Sequence, residues 1–468
     1  MSSNSETQAH HVVLFPFMSK GHTVPILHLA HLLLRRGQAV TVFTTVANRP
    51  FIDHSLAHTS ASVVDLPFPQ NVADDIPAGI ESTDKLPSIS LFYSFANGTK
   101  PMQPAFERAL QTLPRVNFIV SDWFLWWTLE SASKFNIPLF AFHGMSYHSR
   151  AISRAVIENR LLFGPESDDE LITVDPFPWV KVTRNDFEQH FREPDPKGLH
   201  FEFVMNVVMA EMNSYGVIFN SFHELEPLFV DYWNRECSSK AWSVGPLCLA
   251  GPPKESNSKP SWVQWLDKKR EQGSSVLYVA FGSQADISPA QLKEIAIGLE
   301  ESKVNFLWVT RKSDQSEVLE GFEERGKDRG IVVREWVDQR EILMHECVQG
   351  FLSHCGWNSV LESICAGVPI LAWPMLAEQH LNARMVAEEI KVGLRVETVD
   401  GSVRGFVKRE GLQKMVSELM EGEMGKEVRK KGKEIAVMAK KAVEDGGSSC
   451  RSMDLLIDET CKKETCTA

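Results

Sequence analysis

Short unbroken apolar runs alternate with segments of helical spacing along this chain. Residues 12–17, VVLFPF, form the first run and read as a strand buried on both faces. The polar stretch MSKGHT follows, and from Pro25 to Leu34 apolar residues recur at helical spacing until Arg36-Gly37 closes the segment. Residues 40–45, VTVFTT, then read as a second strand, completing a βαβ unit and predicting a parallel sheet with helices on its faces. The rhythm returns with a strand at 275–281, a helical pattern at 288–303 and a strand at 305–310. Between the halves lies AGPPKESNSKPS, residues 250–261, which is linker composition. Trp262, Trp265 and Leu266 then open a helix. The pattern predicts two α/β domains, 1–249 and 262–447, joined by the linker 250–261, with a cleft between them. Residues 75–100 and 140–210 read as loop-rich, and 448–468 as a segment returning toward the first domain.

Composition narrows the function classes. A length of 468 residues suits two domains rather than one core. A formal net charge of −12 argues against nucleic-acid binding, which needs a basic face. The basic run 426–445 reads as the solvated face of a helix. The start, MSSNSETQAHH, lacks a basic and then apolar leader, and no apolar stretch is long enough to span a membrane. Eight scattered cysteines suit reduced thiols, so a cytoplasmic protein is expected and Asn97-Gly98-Thr99 would stay unglycosylated; a monomer is the separate expectation for its assembly.

The densest chemistry lies in FLSHCGWNSVLES, residues 351–363. An apolar strand ends at Ser353, and a helical pattern runs from Asn358 to Gly367, a natural C-terminal stop. The turn between them points helix amides, carrying about half a positive charge, over the strand ends. Asn358 or Ser359 is the expected cap, and a phosphate is the natural occupant of such an end. Alone, the turn reads equally as a capped helix beside a core histidine. Zinc held by His345, Cys347, His354 and Cys355 lacks the usual paired ligand spacing. A Cys355 nucleophile lacks an elbow motif around it.

The wider window, Trp336 to Gln379, reads WVDQREILMHECVQGFLSHCGWNSVLESICAGVPILAWPMLAEQ and closely resembles the signature box of plant family 1 UDP-glycosyltransferases. FPFMSKGHTVP, VSDWFLWWT, NSFHELEP, SVGPL, WLD and YVAFGS resemble further landmarks in family order, so the likeness covers nearly the whole chain. It implies the GT-B fold, two facing Rossmann-like domains, with a UDP-sugar donor in the second and a small acceptor in the first. It also implies that Trp336 stacks on uracil, with Val337 beside it and Gln339 reading the uracil edge. His354, Asn358 and Ser359 match the diphosphate contacts, with Ser283 opposite and Trp357 lining the site through its backbone. Glu362 would hold the ribose, and Glu378 and Gln379 the sugar hydroxyls; glutamine in the last place favours UDP-glucose. Asp338 stands where the family usually has proline, and Lys20 where it often has glutamine. Near 140–147, His143-Gly144 replaces the threonine or serine that touches the sugar in many relatives.

The remaining need is a base. His22, after the first strand, titrates near neutrality, and Asp122 ends an apolar strand of the same domain where a buried carboxylate needs a partner. A His–Asp pair that activates a hydroxyl is expected, and the resemblance assigns the same two residues. The expected reaction is one inverting displacement at C1 of glucose, with no metal or cofactor, on a phenolic or otherwise apolar plant metabolite such as a flavonoid. Trp123, Phe124 and His143 are candidates for the acceptor pocket, with Trp126 and Trp127 alongside. A nicotinamide oxidoreductase would need a glycine-rich fingerprint after the first strand, where PFMSKGH stands. A sugar-nucleotide binder without catalysis would not need both His22 and Asp122.

Overall fold

The computed structural model describes residues 10–251, 259–310 and 317–461; most of the sequence-defined linker, 252–258, and the end of the C-terminal segment, 462–468, lie outside the described residues. The first half contains strands β1 (His11–Phe15), β2 (Ala39–Thr45), β3 (Ser62–Leu66), β4 (Phe118–Asp122) and β5 (Leu139–His143). These are followed by β6 (Ile172–Val174), β7 (Phe177–Val182), β8 (Gly216–Phe219) and β9 (Ala241–Ser243). The second half supplies β10 (Val276–Ala280), β11 (Asn305–Val309), β12 (Gly330–Val333), β13 (Val348–Ser353), β14 (Ile370–Ala372) and β15 (Gly393–Arg395). Seven strands pair in the order β3-β2-β1-β4-β5-β8-β9 and six in the order β12-β11-β10-β13-β14-β15. Every pairing in these two sheets is parallel; β6 and β7 form a separate antiparallel hairpin.

Side chains of each central strand divide between two cores, as parallel strands covered on both faces require. Val12 and Leu14 enter one apolar cluster while Val13 and Phe15 enter another. In the second sheet Leu277 and Val279 face one side and Val276 and Tyr278 the other. The helix Ser448–Cys461 lies against the first sheet, with Met453 and Leu456 buried in its core and Arg36 and Lys240 paired to Asp454 and Glu459.

Strand order places the chemistry. The first sheet reverses between neighbours β1 and β4, and the second between neighbours β10 and β13. Crevices beyond strand ends open at such switch points. His22 follows β1 and Asp122 ends β4; Ser283 follows β10 and His354 follows β13.

Two expectations are corrected. The first helix spans Lys20–Arg35 rather than beginning at Pro25, so the proline lies inside it. An internal proline cannot donate to the carbonyl four residues back, here Gly21, and that carbonyl instead accepts from Asn358 Nδ2 of the second domain at 2.6 Å. Residues 140–210 are not mostly loop, since they hold the helices Tyr147–Glu158 and Leu199–Asn213 and the β6–β7 hairpin. Ser146 starts the first of these by accepting from the Ser149 amide at 2.9 Å.

Candidate active site

The dyad is built from the ends of β1 and β4. His22 Nδ1–H donates to Asp122 Oδ2 at 2.8 Å, and the Phe124 amide donates to Asp122 Oδ1 at 3.0 Å. Asp122 is 1% exposed, so both of its oxygens are held and the imidazole tautomer is set, leaving Nε2 to accept a proton. Burial pulls the His22 pKa down, but the Asp122 charge and hydrogen bond, helped by Glu378, carry it above the ordinary histidine value. Phe124 lies 4.8 Å from the His22 ring and Phe17 5.5 Å, giving the imidazole aromatic neighbours.

Across the cleft, the helix Trp357–Ala366 opens at Gly356 without any side-chain cap and closes at Gly367 with φ 68°. Neither Asn358 nor Ser359 caps it, contrary to expectation. Both side chains lie past the cap position and have other partners: Asn358 reaches Gly21, and Ser359 Oγ accepts from Gln339. Asn220 donates to Asn358 Oδ1 at 3.3 Å and its carbonyl accepts Trp357 Nε1–H at 2.8 Å, so the helix tip is fixed to the first domain close beside His22. The His354 ring is clasped by glycines. A Cβ on Gly282 or Gly356 would fall 2.7 or 2.6 Å from its Nε2, and Gly282 also has φ 75°. Burial pushes His354 down to about 4, so it is neutral at pH 7 and offers a hydrogen bond rather than a charge. Ser283, in the turn after β10, has a hydroxyl without a protein partner among the described residues. Cys355 is fully buried and its thiol is pushed up to about 12, which removes it as a nucleophile.

Trp336 is 60% exposed, so its indole face is open to a flat ligand, while the Val337 side chain is buried in the domain core and leaves only backbone to face one. Asp338, in the usual proline position, caps the helix Gln339–Leu343 by accepting from the Arg340 amide. The Gln339 side chain is not free to read a base: its amide donates to Ser359 at 2.8 Å and Glu362 at 2.6 Å and accepts from Tyr278 at 3.2 Å. Its work in this structure is to orient Ser359 and Glu362. Burial raises Glu362 to about 7, against the Gln339 hydrogen bond. Gln379 Oε1 accepts the Met375 and Leu376 amides, each at 3.1 Å, which leaves its NH2 group as the available donor. Glu378, raised by burial against the field of His22, stands beside the dyad.

The acceptor candidates separate. Phe124 abuts the His22 ring and Trp123 packs on Phe124 at 5.0 Å. His143 does not line an open pocket. It is fully buried 2.7 Å from Glu211, tilted against Trp123 at 4.3 Å and stacked on Phe219 at 4.9 Å, with its pKa lowered by burial. Glu211 also pairs with Arg150; burial would raise its pKa, but Arg150 and His143 hold it down to about 2. Trp127 is core, bonding Thr99. Sequence reasoning missed Gly282, Gly356 and Asn220; the Gly21–Pro25 spacing was the one signal that a carbonyl would be left free. Among the described residues no group of three His, Cys, Asp or Glu side chains could hold a metal, and no helix is long and apolar enough to cross a membrane.

A family model described as "UDP-glucoronosyl and UDP-glucosyl transferase" matches residues 255–430. UDP-glycosyltransferase 90A1 of Arabidopsis thaliana is 56% identical over 466 residues, covering 97% of each chain. The crystal structure of Glycyrrhiza uralensis UGT73P12 complexed with glycyrrhetinic acid 3-O-monoglucuronide aligns with TM-score 0.88 and 30% identity, over 98% of this chain and 96% of that one. Phytolacca americana UGT2, complexed with UDP-2fluoro-glucose and pterostilbene, aligns with TM-score 0.81 and 27% identity, over 97% and 100%. With two switch-point crevices facing each other and sequence identity running the length of the chain, this protein belongs to the plant UDP-glycosyltransferase family, with its GT-B fold.

Proposed function

We propose that this enzyme transfers glucose from UDP-glucose to a hydroxyl of a small phenolic or otherwise apolar plant metabolite, with inversion at C1. The observation that carries the reading is the tie between Asn358 and the Gly21 carbonyl, which holds the donor helix tip next to the His22–Asp122 pair. His22 Nε2 takes the acceptor proton as the acceptor oxygen attacks C1. Asp122 stabilises the imidazolium formed, and UDP departs from the opposite face. Charge developing on the diphosphate meets the uncapped amides after Gly356, His354, and the Ser283 hydroxyl. Trp336 carries the uracil, Glu362 the ribose, and Glu378 with the Gln379 amide the sugar hydroxyls. Trp123 and Phe124, both partly exposed, offer a flat apolar acceptor a wall beside the base, with Phe17 packed behind them. The Phytolacca relative, held with a glucose-type donor and a stilbene, supports both halves of the reading.

The test is incubation with a mixed phenol panel and, separately, UDP-glucose, UDP-galactose and UDP-rhamnose, followed by mass spectrometry and anomer assignment. A β-linked hexose adduct from UDP-glucose is expected. Adducts only with another donor, or an α-linkage, would overturn the donor or the stereochemical assignment respectively.

A further inference from the structure

Lys20 and Phe51 stand on the first domain's side of the cleft and have no role in the reaction as described so far. Lys20 opens the helix that carries His22, and Phe51 lies in the helix Arg49–Ser55. Phe51 meets Trp336 of the second domain edge to face, with ring centroids 6.1 Å apart and planes at 83°. Lys20 Nζ lies 3.4 Å over the Phe51 ring and 5.8 Å from the Trp336 centroid. The three side chains therefore bridge the domains at the nucleoside end of the donor cleft.

Two observations say what this group is for. Lys20 is half-buried, forms no ion pair among the described residues, and has its pKa lowered chiefly by burial, with Asp84 and Lys85 pulling in opposite directions. Ring faces attract its charge but leave its N–H donors without strong acceptors. Gln339, meanwhile, has its amide engaged by Tyr278, Ser359 and Glu362, so that side chain brings no free donor to a base on Trp336. A uracil stacked there presents carbonyl oxygens, and the nearby ammonium is suited to meet one.

We propose that Lys20 and Phe51 are the first domain's share of the donor site. Phe51 positions the Trp336 indole for stacking, and Lys20 donates a hydrogen bond to a uracil carbonyl. This rests on the reading of Trp336 as the base platform. The diphosphate is met elsewhere, at the helix tip beyond β13.

The test measures inhibition constants of UDP and of uridine, with KM for UDP-glucose and for the acceptor, in the wild type, Lys20→Met, Lys20→Arg and Phe51→Ala. Lys20→Met is expected to weaken UDP and uridine by the same factor, about tenfold or more for one charge-assisted hydrogen bond, and to raise the UDP-glucose KM alike. The acceptor KM should not move, and Lys20→Arg should recover most of the loss. Phe51→Ala should weaken both ligands without changing the charge. A loss for UDP but not for uridine would assign the ammonium to the phosphates and overturn the proposal; so would unchanged constants for both. A wild type that binds no UDP would instead overturn the donor-site reading itself.

Discussion

Replacing Asp122 by asparagine isolates what the carboxylate does for the base. In the wild type one oxygen is held by the Phe124 amide and the other accepts from His22 Nδ1. Asparagine has a single oxygen for these two places. If Phe124 keeps it, the Nδ2–H2 group faces the imidazole and forces the proton onto Nε2, the tautomer that cannot accept from the substrate. If the amide turns over, Nδ2–H faces the Phe124 N–H and leaves buried donors unpaired, at a cost of about 1–3 kcal/mol. At about 1.4 kcal/mol per factor of ten, the productive arrangement becomes roughly 5- to 150-fold rarer. The imidazolium also loses its counter-charge in the transition state. Together these predict a kcat about 10²- to 10³-fold lower for Asp122→Asn. The pH profile should move as well. Neutral His22 is the active form, so the rate falls as pH drops through its pKa, which Asp122 holds above the ordinary value. Without that charge burial dominates, and the acid limb should shift to lower pH even as the plateau falls. Steady-state kinetics with a saturating phenolic acceptor from pH 5 to 9, with a thermal melt as control for folding, would decide it. Turnover within fivefold of wild type, or an acid limb that stays in place, would refute the reasoning.

Further expectations follow from the same geometry. Asn358→Ala should lower stability by about 1–3 kcal/mol, because water can replace the partner of the exposed Gly21 carbonyl but the buried Asn220 amide loses its acceptor. Its kcat/KM should fall at least tenfold, since helix tip and base lose their common anchor; kinetics beside a melt separates the two effects. Gly282→Ala puts a Cβ at 2.7 Å from His354 Nε2 and a side chain at φ 75°. A stability loss of about 1–2 kcal/mol, with weaker UDP binding by calorimetry, is expected. Glu211→Ala leaves Arg150 buried without its counter-charge and should cost about 3–5 kcal/mol in denaturant unfolding, whereas Glu211→Gln should cost less. His22→Ala should abolish transfer while UDP still binds, read by product mass and calorimetry.

The sequence alone carried whatever is written in consecutive residues. The apolar runs that became β1 and β13, the helix stop at Gly367, and the box from Trp336 to Gln379 are local, because strand burial, a left-handed glycine and an exposed aromatic turn need only neighbours in the chain. Alternating strands and helices likewise implied two parallel sheets, and Asp122 at a strand end already asked for a partner. Tertiary structure decided how side chains with more than one option would use them. Asn358 could have capped its own helix, but Pro25 had freed the Gly21 carbonyl and the bond formed between domains instead. Gln339 had donors and an acceptor for a base, yet Ser359 and Glu362 took its N–H groups and Tyr278 its oxygen. His143 looked like part of an acceptor wall and is sealed against Glu211. Each of these outcomes depends on which of several equivalent polar partners comes within 3 Å or so, a distance set by the packing of two sheets rather than by the order of residues.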